Sequence, residues 1–238
     1  MKKSVIIFLL FIFISNDLVA QSPLSDRLIG DFYQTIVAPD KKMKKCIHDN
    51  KWGNCVAIAL IKAAIAEFKT IENIYKSYRL TDDKIIIIFN DGLEIEVTAN
   101  EIESARKFSA FGRGNNSVYY DSAIIVYASI CKRILVYKKI QKEENKKCIN
   151  NFEDAMYFIN SGYSTEISAS LLGLHFVSKN LNDLGSLESA IIRTSAHTAF
   201  CTQGVQDISG NRFIVHDGLM KNPASGPRPI KGIYILAK

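Results

Sequence analysis

The sequence predicts an α+β protein in which helices come first and an antiparallel sheet comes last. Three observations lead there. An Ala-rich, almost wholly apolar run follows Asn54, from Cys55 to Phe68, the pattern of a helix buried on most sides. Two β-rich runs, 84–89 and 93–98, flank Asn90-Asp91-Gly92, residues that tolerate the positive φ of a hairpin turn. Beyond about position 190, β-rich stretches alternate with Gly- and Asn-containing turns. Helices segregated from strands in this way mark an α+β arrangement.

Composition narrows the class further. The chain has 238 residues, 47% of them hydrophobic, with 13 Gly and 5 Pro, which excludes a disordered or collagen-like protein. The length suits one domain able to bury a sizeable core. The net charge is +6, carried mostly by Lys and without aromatic residues interleaved along one basic face. Nucleic acid is therefore not an expected partner.

The first twenty residues read as a secretory signal peptide. Lys2 and Lys3 precede an apolar stretch at 5–14, and small residues lead to a cut after Ala20. Ten apolar residues rise only about 15 Å as a helix, about half a bilayer, so no stable membrane span is expected once the signal is removed. Export to a periplasm or beyond the cell follows, with residues 21–238 as a single mature domain, expected as a monomer. In that oxidising setting the five cysteines, Cys46, Cys55, Cys131, Cys148 and Cys201, leave at least one thiol unpaired. Cys131 falls within an apolar helical pattern and reads as packing, while pairing among Cys46, Cys148 and Cys201 stays open.

After a polar stretch at 23–53 with a Lys cluster at 41–45, Asn54 supplies an N-cap and places Cys55 in the first helical turn. The hairpin at 84–98 leads to a helix from Asn100 to about Phe111 and a loop at 112–117. Helices follow at 118–137, 152–160 and 165–172, the last closed by Gly173. The final third reads as a β-run at 196–202, a turn at Ser209-Gly210-Asn211, a return strand at 212–216 ending in Asp217-Gly218, and a last strand at 231–237.

The chemistry concentrates on Cys55. A nucleophilic thiol needs a lowered pKa, a proton-transfer partner and a group that orients the partner. Unpaired N–H groups at a helix N-terminus favour thiolate, and Gly53-Asn54 lets backbone approach a substrate. His197, among small residues in Ser195-Ala196-His197-Thr198-Ala199, is the expected partner. Asp217, at the end of the presumed return strand, is the expected orienter, where it would fix the imidazole tautomer. From position 55 to position 197 is 142 residues, within the roughly 130–150 that separate a papain-type Cys from its His. His48, His175 and His216 have no ligand-like spacing, and no metal site, phosphate loop or dinucleotide fingerprint is present. No cofactor is expected.

These residues resemble the papain-like cysteine peptidases, and among them the calpain-type catalytic core. Trp52-Gly53-Asn54-Cys55 followed by Val-Ala-Ile-Ala is similar to that core's Cys turn and helix. Asp121 to Arg133 is similar to its second long helix, and Phe152–Leu174 to the segment after it. Ala196-His197-Thr198-Ala199-Phe200 and Phe213–Asp217 are similar to its His and orienter strands. The resemblance spans about 45–235 and implies a two-lobe papain-like fold, with a helical N-terminal lobe around the Cys-bearing helix and a C-terminal antiparallel sheet. It also implies a cysteine endopeptidase acting on protein or peptide substrates with a Cys55-His197-Asp217 triad. Where the family has an oxyanion-binding Gln, six residues before the Cys, this chain has Asp49. A carboxylate cannot donate unless protonated, so the neighbouring Asn50, with the Cys55 N–H, is the expected donor. Asn222-Pro223 resembles the family's Asn-Pro and makes Asn222 the alternative orienter. The acidic calcium loops of calpains are not recognisable. Two other readings stand beside the hydrolase: an inactive papain-like binding module, favoured by Asp49, and a transglutaminase-type acyltransferase.

Overall fold

The computed structural model describes residues 23–35, 53–115, 117–137, 149–161, 163–221 and 226–238. The proposed signal peptide, the Lys cluster, Cys46, His48, Asp49, Asn50, Cys148 and Asn222 lie outside these residues. The chain is a mixed α+β structure with several antiparallel sheets.

A short helix α1 (Leu24–Leu28) and strand β1 (Phe32–Gln34) precede the long apolar helix α2 (Cys55–Phe68). Every residue of α2 from Val56 to Ala66 is buried, so the helix needs neighbours on all sides. β2 (Ser77–Leu80), β3 (Lys84–Ile88) and β4 (Glu94–Thr98) form a three-stranded antiparallel sheet. Its β3–β4 turn holds Gly92 at φ +87°, as the Asn90-Asp91-Gly92 signal predicted. Thr98 and Glu101 close a reciprocal capping box at the start of α3 (Ala99–Phe108), which fixes where strand gives way to helix. β5 (Phe111–Arg113) then pairs antiparallel with β1, where the sequence had suggested a loop. α4 (Tyr120–Val136) and α5 (Phe152–Asn160) follow, the latter capped by the Asn151 side chain accepting from Asp154 N–H. α6 (Thr165–Ser168) runs into a 3-10 turn closed by Gly173 at φ +65°. Cys131 is fully buried in α4, a packing residue as its pattern indicated.

β6 (His175–Ser178), β7 (Ala190–Arg193), β8 (Thr198–Thr202), β9 (Val205–Ile208), β10 (Asn211–Ile214) and β13 (Gly232–Ala237) make a six-stranded sheet in the order β10-β9-β8-β7-β13-β6. Each neighbouring pair is antiparallel. Two short strands, β11 (Leu219–Met220) and β12 (Arg228–Pro229), pair beside it. The strands alternate faces as the pleat requires. Ile191, Phe200 and Leu236 join the main core with α2, α4 and α5. Ala190, Ile192, Cys201 and Ile208 point the other way, into a smaller core closed by Leu184 and Met220.

One correction bears on the site. β8 does not turn back through Ser209-Gly210-Asn211; it turns at Gln203-Gly204, both at positive φ (48° and 77°). Two such residues suit a tight two-residue hairpin whose twist matches its strands. β9 therefore lies between β8 and β10, and Asp217 comes only after the end of β10.

Candidate functional site

α2 packs against β8, and the line of contact brings the ends of the two elements together. Cys55, the first residue of α2, and His197, the residue before β8, line one narrow cleft. Ile58, Ala59 and Lys62 continue the α2 wall, Thr198, Ala199 and Phe200 the β8 wall, and Tyr33 and Gln34 of β1 form the roof. Asp207 of β9 and Ser209 complete it. Two sequence candidates standing 142 positions apart are thus neighbours in space.

The local geometry at Cys55 follows from what Asn54 does. Asn54 occupies the N-cap position but its side chain does not cap the helix. Instead its Nδ2 donates to the backbone oxygens of Ser109 and Ala110, at 2.7 and 3.3 Å. The backbone N–H groups of Thr198, across the cleft, and of Val56 and Cys55 favour the Cys55 thiolate. Burial pushes the Cys55 thiol above its ordinary range, and those three donors pull against it. Burial likewise pulls the His197 imidazole below its ordinary range. Both shifts disfavour the charged forms. Among the described residues no carboxylate or amide hydrogen-bonds to the His197 ring. Its backbone is held by Thr194 Oγ1, which accepts the His197 N–H at 3.1 Å.

Asp217 does not join this pair. It is exposed at φ +52°, in the tight turn between the bridged residues His216 and Leu219, beyond the far end of β10. It serves as a turn former there, a position that Asp tolerates better than most residues. His175 and His216 are also exposed. Among the described residues no group of His, Cys, Asp and Glu has the arrangement of a metal site, and no helix is long and apolar enough to cross a membrane.

Three cleft residues escaped the sequence reading. Gln34 lies over Gly53, which sits at φ +152°; a Cβ there would come 2.6 Å from Gln34 Nε2. Only glycine leaves that space, and the carboxamide has no hydrogen-bond partner among the described residues. It is a free donor at the mouth of the cleft. Lys62 and Asp207 form an ion pair in which Lys62 is fully buried and Asp207 is 5% exposed. Asp207 also accepts the N–H of Gly30 at 3.1 Å and of Gly210 at 2.9 Å. The Lys62 ammonium lies 4.7 Å from the centre of the Phe32 ring. Lys62 was visible in principle, as the one cation inside an apolar helix, since a buried Lys requires a partner.

Compared with models of protein families, with curated proteins and with solved structures, the chain finds no match.

Proposed function

We propose that the chain is an exported thiol hydrolase of papain-like type, a cysteine endopeptidase with Cys55 as nucleophile and His197 as proton-transfer partner. One observation carries it: Cys55 at the head of α2 and His197 at the head of β8 line the same cleft. In this reading His197 takes the thiol proton as sulfur attacks the substrate carbonyl. The C–N bond then breaks as the imidazolium protonates the leaving amine, and water hydrolyses the thioester. The tetrahedral oxyanion accepts hydrogen bonds from Gln34 Nε2 and from backbone N–H at the start of α2. Gln34 takes the donor role expected of Asn50, beside Asp49, on sequence grounds. With both charged forms disfavoured, the proton transfer is part of the attack itself, the thiolate forming as substrate engages.

The non-catalytic binding module has one observation in its favour, the absence of an orienting acceptor on the His197 ring among the described residues. The two readings separate in one experiment. Release of amine from a denatured protein substrate is measured for the wild type, Cys55→Ser and His197→Ala, alongside iodoacetamide alkylation of Cys55 against pH. Turnover abolished by both substitutions, with slower alkylation in His197→Ala, is the expected result. No turnover, with an alkylation profile indifferent to His197, overturns the hydrolase and leaves the binding module.

A further inference from the structure

The Lys62–Asp207 pair is out of place if stability is its only purpose. Taking two charges out of water is costly before their attraction repays it, and an apolar pair of similar volume often serves a fold as well. The pair is also not placed at random. Cys55, Ala59 and Lys62 are spaced four and three apart along α2, the spacing of one helical stripe, and all three line the cleft. Side chains on a helix lean toward its N-terminus, so the Lys62 ammonium leans toward the Cys55 end. Asp207 holds it there. With its other contacts that carboxylate gathers three walls of the cleft: α2 through Lys62, the roof through Gly30 N–H, and the β9–β10 turn through Gly210 N–H.

We propose that Lys62 and Asp207 are positioning residues that set the electrostatic potential at Cys55, the Lys62 ammonium favouring the thiolate and the Asp207 carboxylate opposing it. The proposal deepens the thiol-hydrolase reading, but its readout is the titration of a sulfur, so loss of turnover alone does not decide it. Among the described residues, the charged and titratable groups facing the sulfur's cleft are His197 from the head of β8, Asp207 from β9, Tyr33 from β1 and Lys62 from α2 itself. Behind Lys62 stands Asp31, its carboxylate anchored by the N–H groups of Val118 and Tyr119 at 2.7 and 3.1 Å. Because Asp31 remains, Lys62 keeps an anion nearby when Asp207 is neutralised. Asp207 keeps the Gly30 and Gly210 N–H bonds when Lys62 is removed.

The two substitutions therefore act in opposite directions. Seven residues of helix rise about 10 Å, and unit charges that far apart at an effective dielectric of about 20 change a pKa by about one unit. In the full chain, alkylation of Cys55 by iodoacetamide is followed against pH by mass spectrometry. Lys62→Met leaves an uncompensated carboxylate and moves the midpoint up by about one pH unit, roughly a tenfold lower rate at fixed pH below it. Asp207→Asn removes the opposing carboxylate and leaves Asp31 as the anion that holds the Lys62 ammonium against burial, which moves the midpoint down by up to a similar amount. The double variant returns close to the wild type. Lys62→Gln retains a donor for Asp207, so it carries the test if Lys62→Met does not fold. Loosened packing would move both single variants the same way. Shifts of one sign in both, or no shift in either, overturn the proposal.

Discussion

Gly53→Ala tests whether Gln34 belongs to the site. At φ +152° a residue with a Cβ is strained by about 1–3 kcal/mol. In a chain of this size that lowers the melting temperature by about 2–12 °C. The new methyl would also stand 2.6 Å from Gln34 Nε2. Because the contact is the far end of a flexible side chain, the carboxamide swings aside and the fold survives. What is lost is the donor at the mouth of the cleft, and removing one oxyanion donor slows acyl transfer by roughly 100-fold or more. The assay is acylation of Cys55 by p-nitrophenyl acetate, read as nitrophenolate release after subtracting the Cys55→Ala rate. Gly92→Ala is the control: Gly92 also has positive φ, +87°, but nothing lies within 4 Å of its added Cβ. It should lose stability and keep its acylation rate. Gln34→Ala should be as slow as Gly53→Ala, and combining the two should add little, since both remove one interaction. If Gly53→Ala acylates like Gly92→Ala at equal loss of stability, Gln34 has no part in the chemistry.

Other consequences are direct. Leu60→Ala, fully buried in α2, should cost about 2–5 kcal/mol by opening a cavity beneath the site, measured by denaturant unfolding. In the native protein at pH 8, Cys55 should be alkylated while Cys131 and Cys201 are not; both are buried, and burial pushes the Cys201 thiol up to about 12, so labelling of either before unfolding contradicts their packing. His197, with its pKa lowered by burial, binds its proton less readily folded than unfolded. Its neutral form gives stability that is fully present above the unfolded value of about 6.5 and is lost as pH falls through the lower folded value. The drop in melting temperature between pH 7 and pH 5 should accordingly shrink in His197→Gln, and an unchanged drop would show the ring to be solvated.

The helices were legible because their signals are local. An unbroken apolar run gave α2, and the helix expected from Asn100 overlaps α3, whose start the Thr98–Glu101 capping box fixes. The hairpin of β3 and β4 was equally local, set by Asn90-Asp91-Gly92. What the sequence hid was long-range pairing by short strands. β1 and β5 are three residues each and pair across almost eighty positions, and neither has a periodicity that three residues can express. Their existence depends on tertiary contacts: Phe32 stacks on Phe111 with ring centres 5.6 Å apart, and Gly112 admits the Tyr33 ring where a Cβ would sit 2.3 Å from it. Without that pairing on the page, the segment bearing Gln34 reads as polar coil.

The same limit explains why Cys55 and His197 were expected to stand together and the residues around them were not foreseen. A Cys at the head of a buried helix and a His entering an apolar strand advertise chemistry on their own. An orienting carboxylate does so only through register, and register here turned on which of two turns closed the hairpin. Ser209-Gly210-Asn211 has the stronger composition, yet Gln203-Gly204 is the turn that closes β8 on β9. That choice places Asp207 in the cleft and sends Asp217 to an exposed turn. It also leaves Asp207 committed to Lys62, Gly30 and Gly210 rather than to the imidazole. Acidic character thus enters the site beneath the sulfur's wall and not behind the histidine. The proposed role of Lys62 and Asp207 makes Cys55 reactivity a matter of charges carried by α2 and β9 as well as of the His197 ring.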